Sequence, residues 1–228
     1  MKLARGLWMA GAQRYHARAK APPALRALAR AAPSWRTLLR DLEFLALDLE
    51  TSGLDPRRDE VLSVGWVVLR QGRVKLASAR YHLVCPTRPI SAETCAIHHI
   101  FDDLAARGRP WRAVFAAVLE ALTGRVLVAH NMGIEWGFLS AMARRCHGAG
   151  FYCPRVDTLA LERRRHARPG RQRRAGDLRL DAARARYGLP CHRAHHALSD
   201  AVATAELLLA QIAYAGTPER LRLIDLAS

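Results

Sequence analysis

A chain of 228 residues is long enough for one ordinary domain with an extension, and for a sizeable buried core. Half of it is apolar and a quarter charged, the balance of a soluble globular protein; no apolar run is long enough to span a bilayer, and no membrane partner is expected. The formal net charge of +16 favours a polyanionic partner through counterion release, although an arginine- and alanine-rich composition alone gives the same sign.

Residues 1–40 carry nine Lys or Arg and no acid. Pro22, Pro23 and Pro33 divide this segment, and 24–32 is expected to form a short basic helix. A transit peptide has a similar composition, but Ser and Thr are scarce here. The segment is expected to be a basic extension that touches nucleic acid, packs on the domain or meets a protein partner. The domain is expected over 41–215, with a short tail at 216–228.

Within the domain, 44–49 is a short apolar run ending in carboxylates, a buried strand by length and composition. Two further strands are expected at 61–69 and 74–84, joined by a turn at Gln71-Gly72, and a fourth at 126–129. Helical spacing marks 111–122, 134–146, 178–187 and 197–214. Strands first, then alternating helix and strand, make an α/β fold with a mixed sheet covered by helices. Residues 163–174 hold seven arginines around Pro169-Gly170 and are expected as an exposed, mobile loop. The five cysteines are odd in number and contain no Cys-x-x-Cys pair, which argues against a disulfide framework and for a cytoplasmic location.

Three segments carry chemistry. In Asp48-Leu49-Glu50-Thr51 the two acids lie two apart on a strand and project from one face. Paired carboxylates repel unless a cation sits between them, and oxygen ligands suit Mg²⁺ or Mn²⁺; a pair of solvated acids at a strand end is the plain alternative. In His130-Asn131-Met132-Gly133-Ile134-Glu135 a strand runs into a helix with an acid in its first turn, which by itself only complements the helix dipole. In His195-His196-Ala197-Leu198-Ser199-Asp200 a histidine precedes a helix that begins with an acid. An imidazole beside a carboxylate-bound metal can take a proton from an attacking water. A zinc site of Cys191, His192, His195 and His196 is an alternative whose spacing matches no common pattern.

Taken together, in order and spacing, the three segments resemble the DEDDh exonucleases, the superfamily of the bacterial polymerase III proofreading subunit and ribonuclease T. Asp48, Glu50 and Thr51 match the first motif, His130, Asn131, Glu135, Phe138 and Leu139 the second, and His195 and Asp200 the third. Echoes at 97–100, 156–159 and 180–189 agree, and the resemblance spans about 43–213. One departure stands out: the second-motif acid is usually Asp, and here it is Glu135.

The resemblance implies a ribonuclease H-like fold and two divalent ions, Mg²⁺ or Mn²⁺, held by Asp48, Glu50, Glu135 and Asp200, with Asp48 between them. His195 would be the general base, and Thr51, Leu54, Ile97 and His98 would cradle the terminal nucleotide, although Leu54 and Ile97 also suit a core. Asn131 would brace the second motif through hydrogen bonds, and His130 is expected to be structural rather than a ligand. The implied activity is hydrolysis of nucleic acid, DNA above all, from single-stranded 3′ ends to nucleoside 5′-monophosphates. Two alternatives stay open: a nucleic-acid-binding domain of the same fold, inactive because of Glu135, and a polymerase-associated proofreading subunit.

Overall fold

The structure is a computed structural model that describes residues 2–18, 20–166 and 176–227. A five-stranded sheet has the order β3-β2-β1-β4-β5. Its strands are β1 (Glu43–Thr51), β2 (Val61–Arg70), β3 (Arg73–Leu83), β4 (Val126–Ala129) and β5 (Arg155–Asp157). β1 is antiparallel to β2 and parallel to β4, so the sheet is mixed as expected. β5 was not foreseen from the sequence, and it lies parallel to β4 at the sheet's edge.

Two helices precede the sheet, α1 (Lys2–His16) and α2 (Pro23–Ala31). Between β3 and β4 lie α3 (Ala92–His98), α4 (Asp102–Ala105) and α5 (Trp111–Leu122), and α6 (Gly133–His147) joins β4 to β5. After β5 come α7 (Thr158–Arg165), α8 (Leu180–Ala185), α9 (Ala197–Ala213) and α10 (Leu223–Leu226). Among the described residues, no helix is long and apolar enough to cross a membrane.

β1 is central and covered on both faces, which is why it reads as an unbroken apolar run. Leu45, Leu47 and Leu49 face a core built with Phe115 and Val118 of α5 and Phe138 and Leu139 of α6. Phe44 and Ala46 face the opposite layer, where Ala205 and Leu208 of α9 pack. Asp48 and Glu50 continue that second face at the strand's end, since side chains alternate along a strand.

The basic N-terminal segment folds against the domain. Leu25 and Leu28 of α2 are fully buried in the same core as α5. The segment also meets the end of the described chain: Leu39 N–H donates to the Leu221 carbonyl, and Ile224 N–H to that of Trp35. The stretch at 163–174, expected as an exposed loop, begins as helix. Arg163, Arg164 and Arg165 form the last turn of α7, where cations complement the helix dipole, and residues 167–175 lie outside the described residues.

Candidate active site

The site lies at the end of β1 that is shared with the carboxyl end of parallel β4. A bulge between Glu50 and Thr51 breaks the ladder to β2 just past the second acid. α6 starts after β4 and carries Glu135 in its first turn. α9 carries Asp200 in its first turn and comes close to β1 because of one glycine. Gly65 on β2 is paired with Asp48, and a side chain there would collide with the backbone of Ala197 and Leu198. The residue opposite Asp48 must therefore lack a Cβ for the start of α9 to lie on the sheet. The segment leading into α9 is tied down as well: buried Arg184 donates to the carbonyls of Pro190 and Ala203, at 2.9 and 2.7 Å.

These elements bring ligand oxygens of Asp48, Glu50 and Asp200 within 4.8 Å of one another. Glu135 borders the same cavity, 3% exposed, with Oε2 buried and unpartnered. Glu50 is 5% exposed, and its Oε1 is equally orphaned, while Oε2 stands 2.5 Å from Nδ1 of His98. Unpaired anions in such surroundings are costly, and proton affinity rises. Burial, then the charges of Glu135, Glu50 and Asp200, hold Asp48 well above the ordinary carboxylate range. Burial pushes Glu135 up to about 8, its own backbone N–H opposing and Asp157 and Glu50 adding to the shift. Asp200 is raised by burial and Glu50, against the pull of His192 and the His195 N–H.

Asp200 is held at both oxygens. His192 Nε2 lies 2.8 Å from Oδ1, and the His195 backbone N–H donates to Oδ2 at 2.8 Å. His195 adopts a left-handed backbone, φ +61°, which leaves its side chain exposed at the mouth of the site. His196 does different work: its ring accepts from Ser199 N–H to cap α9 and stacks on Tyr81. The zinc alternative is not formed. Among the described residues, the group able to hold a metal through three or more His, Cys, Asp or Glu is Asp48, Glu50 and Asp200.

The acids, His195, Thr51, Leu54, Ile97 and His98 line one cavity of about 640 Å³. Leu54 is 75% exposed and Ile97 42%, so neither serves the core. His130 also borders this space but has both nitrogens engaged. Its Nε2 donates to the Leu178 carbonyl at 2.8 Å, and its Nδ1 lies 2.8 Å from the Thr158 hydroxyl. Asn131 stands outside the lining; its braced contact is a backbone one, N–H to Asp157 at 3.0 Å, with φ +74°. The sequence places Asp157 in an echo of the family without a role, though it caps α7 through Leu159 N–H, and it gives no sign that His192 partners Asp200. Beyond that echo, nothing in their local sequence distinguishes them from ordinary surface groups.

Known proteins resemble this chain in sequence and fold. A 31% identical relative, the epsilon subunit of DNA polymerase III from Treponema pallidum, aligns over 75% of this chain and 77% of its own length. The PolC-type DNA polymerase III of Thermotoga maritima is 32% identical over 74% of this chain, which spans only 12% of that much longer protein. Among solved structures, exonuclease X in complex with 5′-overhanging duplex DNA matches with a TM-score of 0.58 and 27% identity, over 80% of this chain and 98% of that one. Apo exonuclease I shares the fold at 18% identity and a TM-score of 0.65, over 81% of this chain and 44% of that one. The exonuclease family model of ribonuclease T matches residues 45–208, and with these relatives it places the chain in the DEDDh-type exonuclease family.

Proposed function

We propose that the chain is a metal-dependent 3′→5′ exonuclease acting on nucleic acid, DNA above all, at single-stranded 3′ ends. The observation that carries this reading is the convergence of Asp48, Glu50 and Asp200, from two separate segments, with buried Glu135 beside them. Their oxygens fit hard divalent ions: two are buried without partners, and three of the four acids hold their protons abnormally tightly. Asp48, Glu50, Glu135 and Asp200 would hold two Mg²⁺ or Mn²⁺. Bound ions of this kind supply positive charge to phosphate oxygens and lower the pKa of a water.

The chain's own residues do the rest. Leu54 and Ile97 offer exposed apolar surface to the terminal base, with Thr51 and His98 beside them. Asn131 contributes through the backbone that seats the second motif. His195, anchored through its N–H to Asp200, takes a proton from the attacking water. The water oxygen bonds to phosphorus as the bond to the 3′ oxygen of the preceding nucleotide breaks. That oxygen leaves as a 3′-hydroxyl, and the terminal nucleotide departs as a 5′-monophosphate.

A second reading, an inactive nucleic-acid-binding domain, draws on one observation: Glu135 is not part of the three-acid group. A polymerase-associated role rests on the relatives named above, with residues 1–40 as the contact; α1 leaves Leu7, Trp8 and Tyr15 exposed. The free cysteines accord with a cytoplasmic protein. Digestion of 3′-labelled DNA and RNA strands in Mg²⁺, Mn²⁺ or EDTA tests the main reading. Labelled 5′-monophosphate released only with metal supports it; tight binding with no release supports the inactive reading.

A further inference from the structure

The acid-lined cavity does not end at the acids. Ser52 and Ser91 border both it and a smaller hollow of about 190 Å³. Asp59, Glu60 and Arg88 border that hollow and also a third cavity of about 530 Å³. The three adjoin as one groove along the loop between β1 and β2. At its far end Arg57, Arg58, Arg88 and Arg145 converge from the β1–β2 loop, the segment after β3, and α6.

The two acids at the junction are already engaged. Glu60 accepts from the Thr87 hydroxyl at 2.6 Å and from the Thr87 and Arg88 N–H groups, and Asp59 accepts from Asp55 N–H at 2.8 Å. Among the described residues, Arg58 and Arg88 make only long ion pairs, 3.9 Å to Asp55 and 3.8 Å to Glu60, and Arg88 also donates to the Arg58 backbone carbonyl. Arg57 and Arg145 are exposed and make no ion pair among the described residues. Four guanidinium groups thus face a cavity whose carboxylates serve its own loops.

We propose that this far cavity binds the phosphate backbone of a single strand, several nucleotides 5′ of the end held at the acids. The inference rests on the exonuclease reading for the identity of the strand. Guanidinium groups bind phosphate in a planar, bidentate manner, and each neutralised phosphate releases counterions. Continuity with the acid-lined cavity gives the strand a path from one to the other. A loop seat on α6 keeps that path in place: Pro56 of the β1–β2 loop lies 2.8 Å from where a Cβ of Gly137 would be.

The test compares wild type, Arg57→Ser/Arg145→Ser, and a charge-matched control, Arg73→Ser/Arg220→Ser, at the opposite end of the strands. Affinity is measured in Ca²⁺ against salt for a trinucleotide and for a strand of about twelve nucleotides, a span such grooves cover. The cavity variant should bind the trinucleotide as wild type does. It should bind the long strand more weakly, with a log–log salt slope shallower by about 0.7 per lost contact. A long-strand slope equal to that of the control overturns the proposal, as does an equal loss on the trinucleotide. Hydrolysis in Mg²⁺ is scored separately. A wild type that shows the cavity-dependent slope yet hydrolyses neither strand upholds the groove and overturns the exonuclease reading.

Discussion

Of the four acids, Glu135 is the most deeply buried, and one of its oxygens meets no donor. It also carries the extra methylene that separates it from the Asp expected of the family. A ligand oxygen must sit within a few tenths of an ångström of its ion, so the backbone has to suit the side chain it carries. Glu135→Asp should therefore lower metal-dependent turnover, although it restores the usual residue, and Glu135→Gln should lower it further. If Glu135 instead crowds the metal, the wild type is inactive and Glu135→Asp gains activity; a nuclease assay on the three purified forms separates these outcomes. His195 and His196 divide in the same way. His195→Ala should cut turnover by roughly 10²–10⁴-fold while leaving strand binding in Ca²⁺ intact. His196→Ala, which removes a cap and a stacking contact, should be mild, and equal losses from the two would deny His195 the role of base. The acids and His195 were legible because strand alternation and motif order act locally. Leu54 and Ile97 were ambiguous, since an apolar residue reads alike whether it fills a core or cradles a base. In sequence His192 suggests only a zinc alternative, and its hydrogen bond to Asp200 depends on how the chain enters α9.

At the scale of elements, two close approaches are set by glycines that carry no chemistry: α9 against the sheet at Gly65, and the β1–β2 loop against α6 at Gly137. A Cβ at Gly65 would strike backbone of α9, which cannot rotate away as a side chain can. Gly65→Ala should shift His195 and Asp200 together and lower kcat by roughly 10²-fold, the scale expected for a misplacement of about 1 Å. Gly137→Ala meets only the ring of Pro56, so its effect on kcat should be smaller. Steady-state kinetics with melting curves as a control would show this order, and wild-type kcat in Gly65→Ala would refute it. The spacing of α5, α6 and α9 made them readable, as did the apolar runs and turn signals of the first four strands, whereas the 15-residue helix α1 was not foreseen. β5 has three residues, and its pairing with β4 supplies what its own sequence does not. The contact between β2 and the start of α9 joins segments far apart in the chain, so no local pattern announces the need for Gly65.

At the scale of the whole molecule, the acid cluster sets stability against function. In the metal-free protein Glu135 keeps its proton up to about pH 8, whereas in the unfolded chain it loses it near 4.5. Between those values the folded state binds more protons than the unfolded one, so stability is fully present below about 4.5 and falls as pH rises towards 8. The raised values of Asp48 and Asp200 act in the same direction. Ions bind the ionised acids, so the rise in Tm caused by Mg²⁺ or Mn²⁺ should grow with pH across this window. A metal-induced shift in Tm that stays constant with pH, read by calorimetry, would contradict the cage. The N-terminal segment shows what composition could not: its charge was plain, but the burial of Leu25 and Leu28 against α5 follows only from the assembled core. The central claim, that this acid cluster hydrolyses a strand from its 3′ end, is tested most directly with a 5′-labelled single strand and metal-free protein. Adding Mg²⁺ should start a ladder of products that shorten one nucleotide at a time from the 3′ end, and excess EDTA should stop it at once. Loss of the 5′ label as a mononucleotide before the strand has shortened, or digestion that continues in EDTA, would contradict the account.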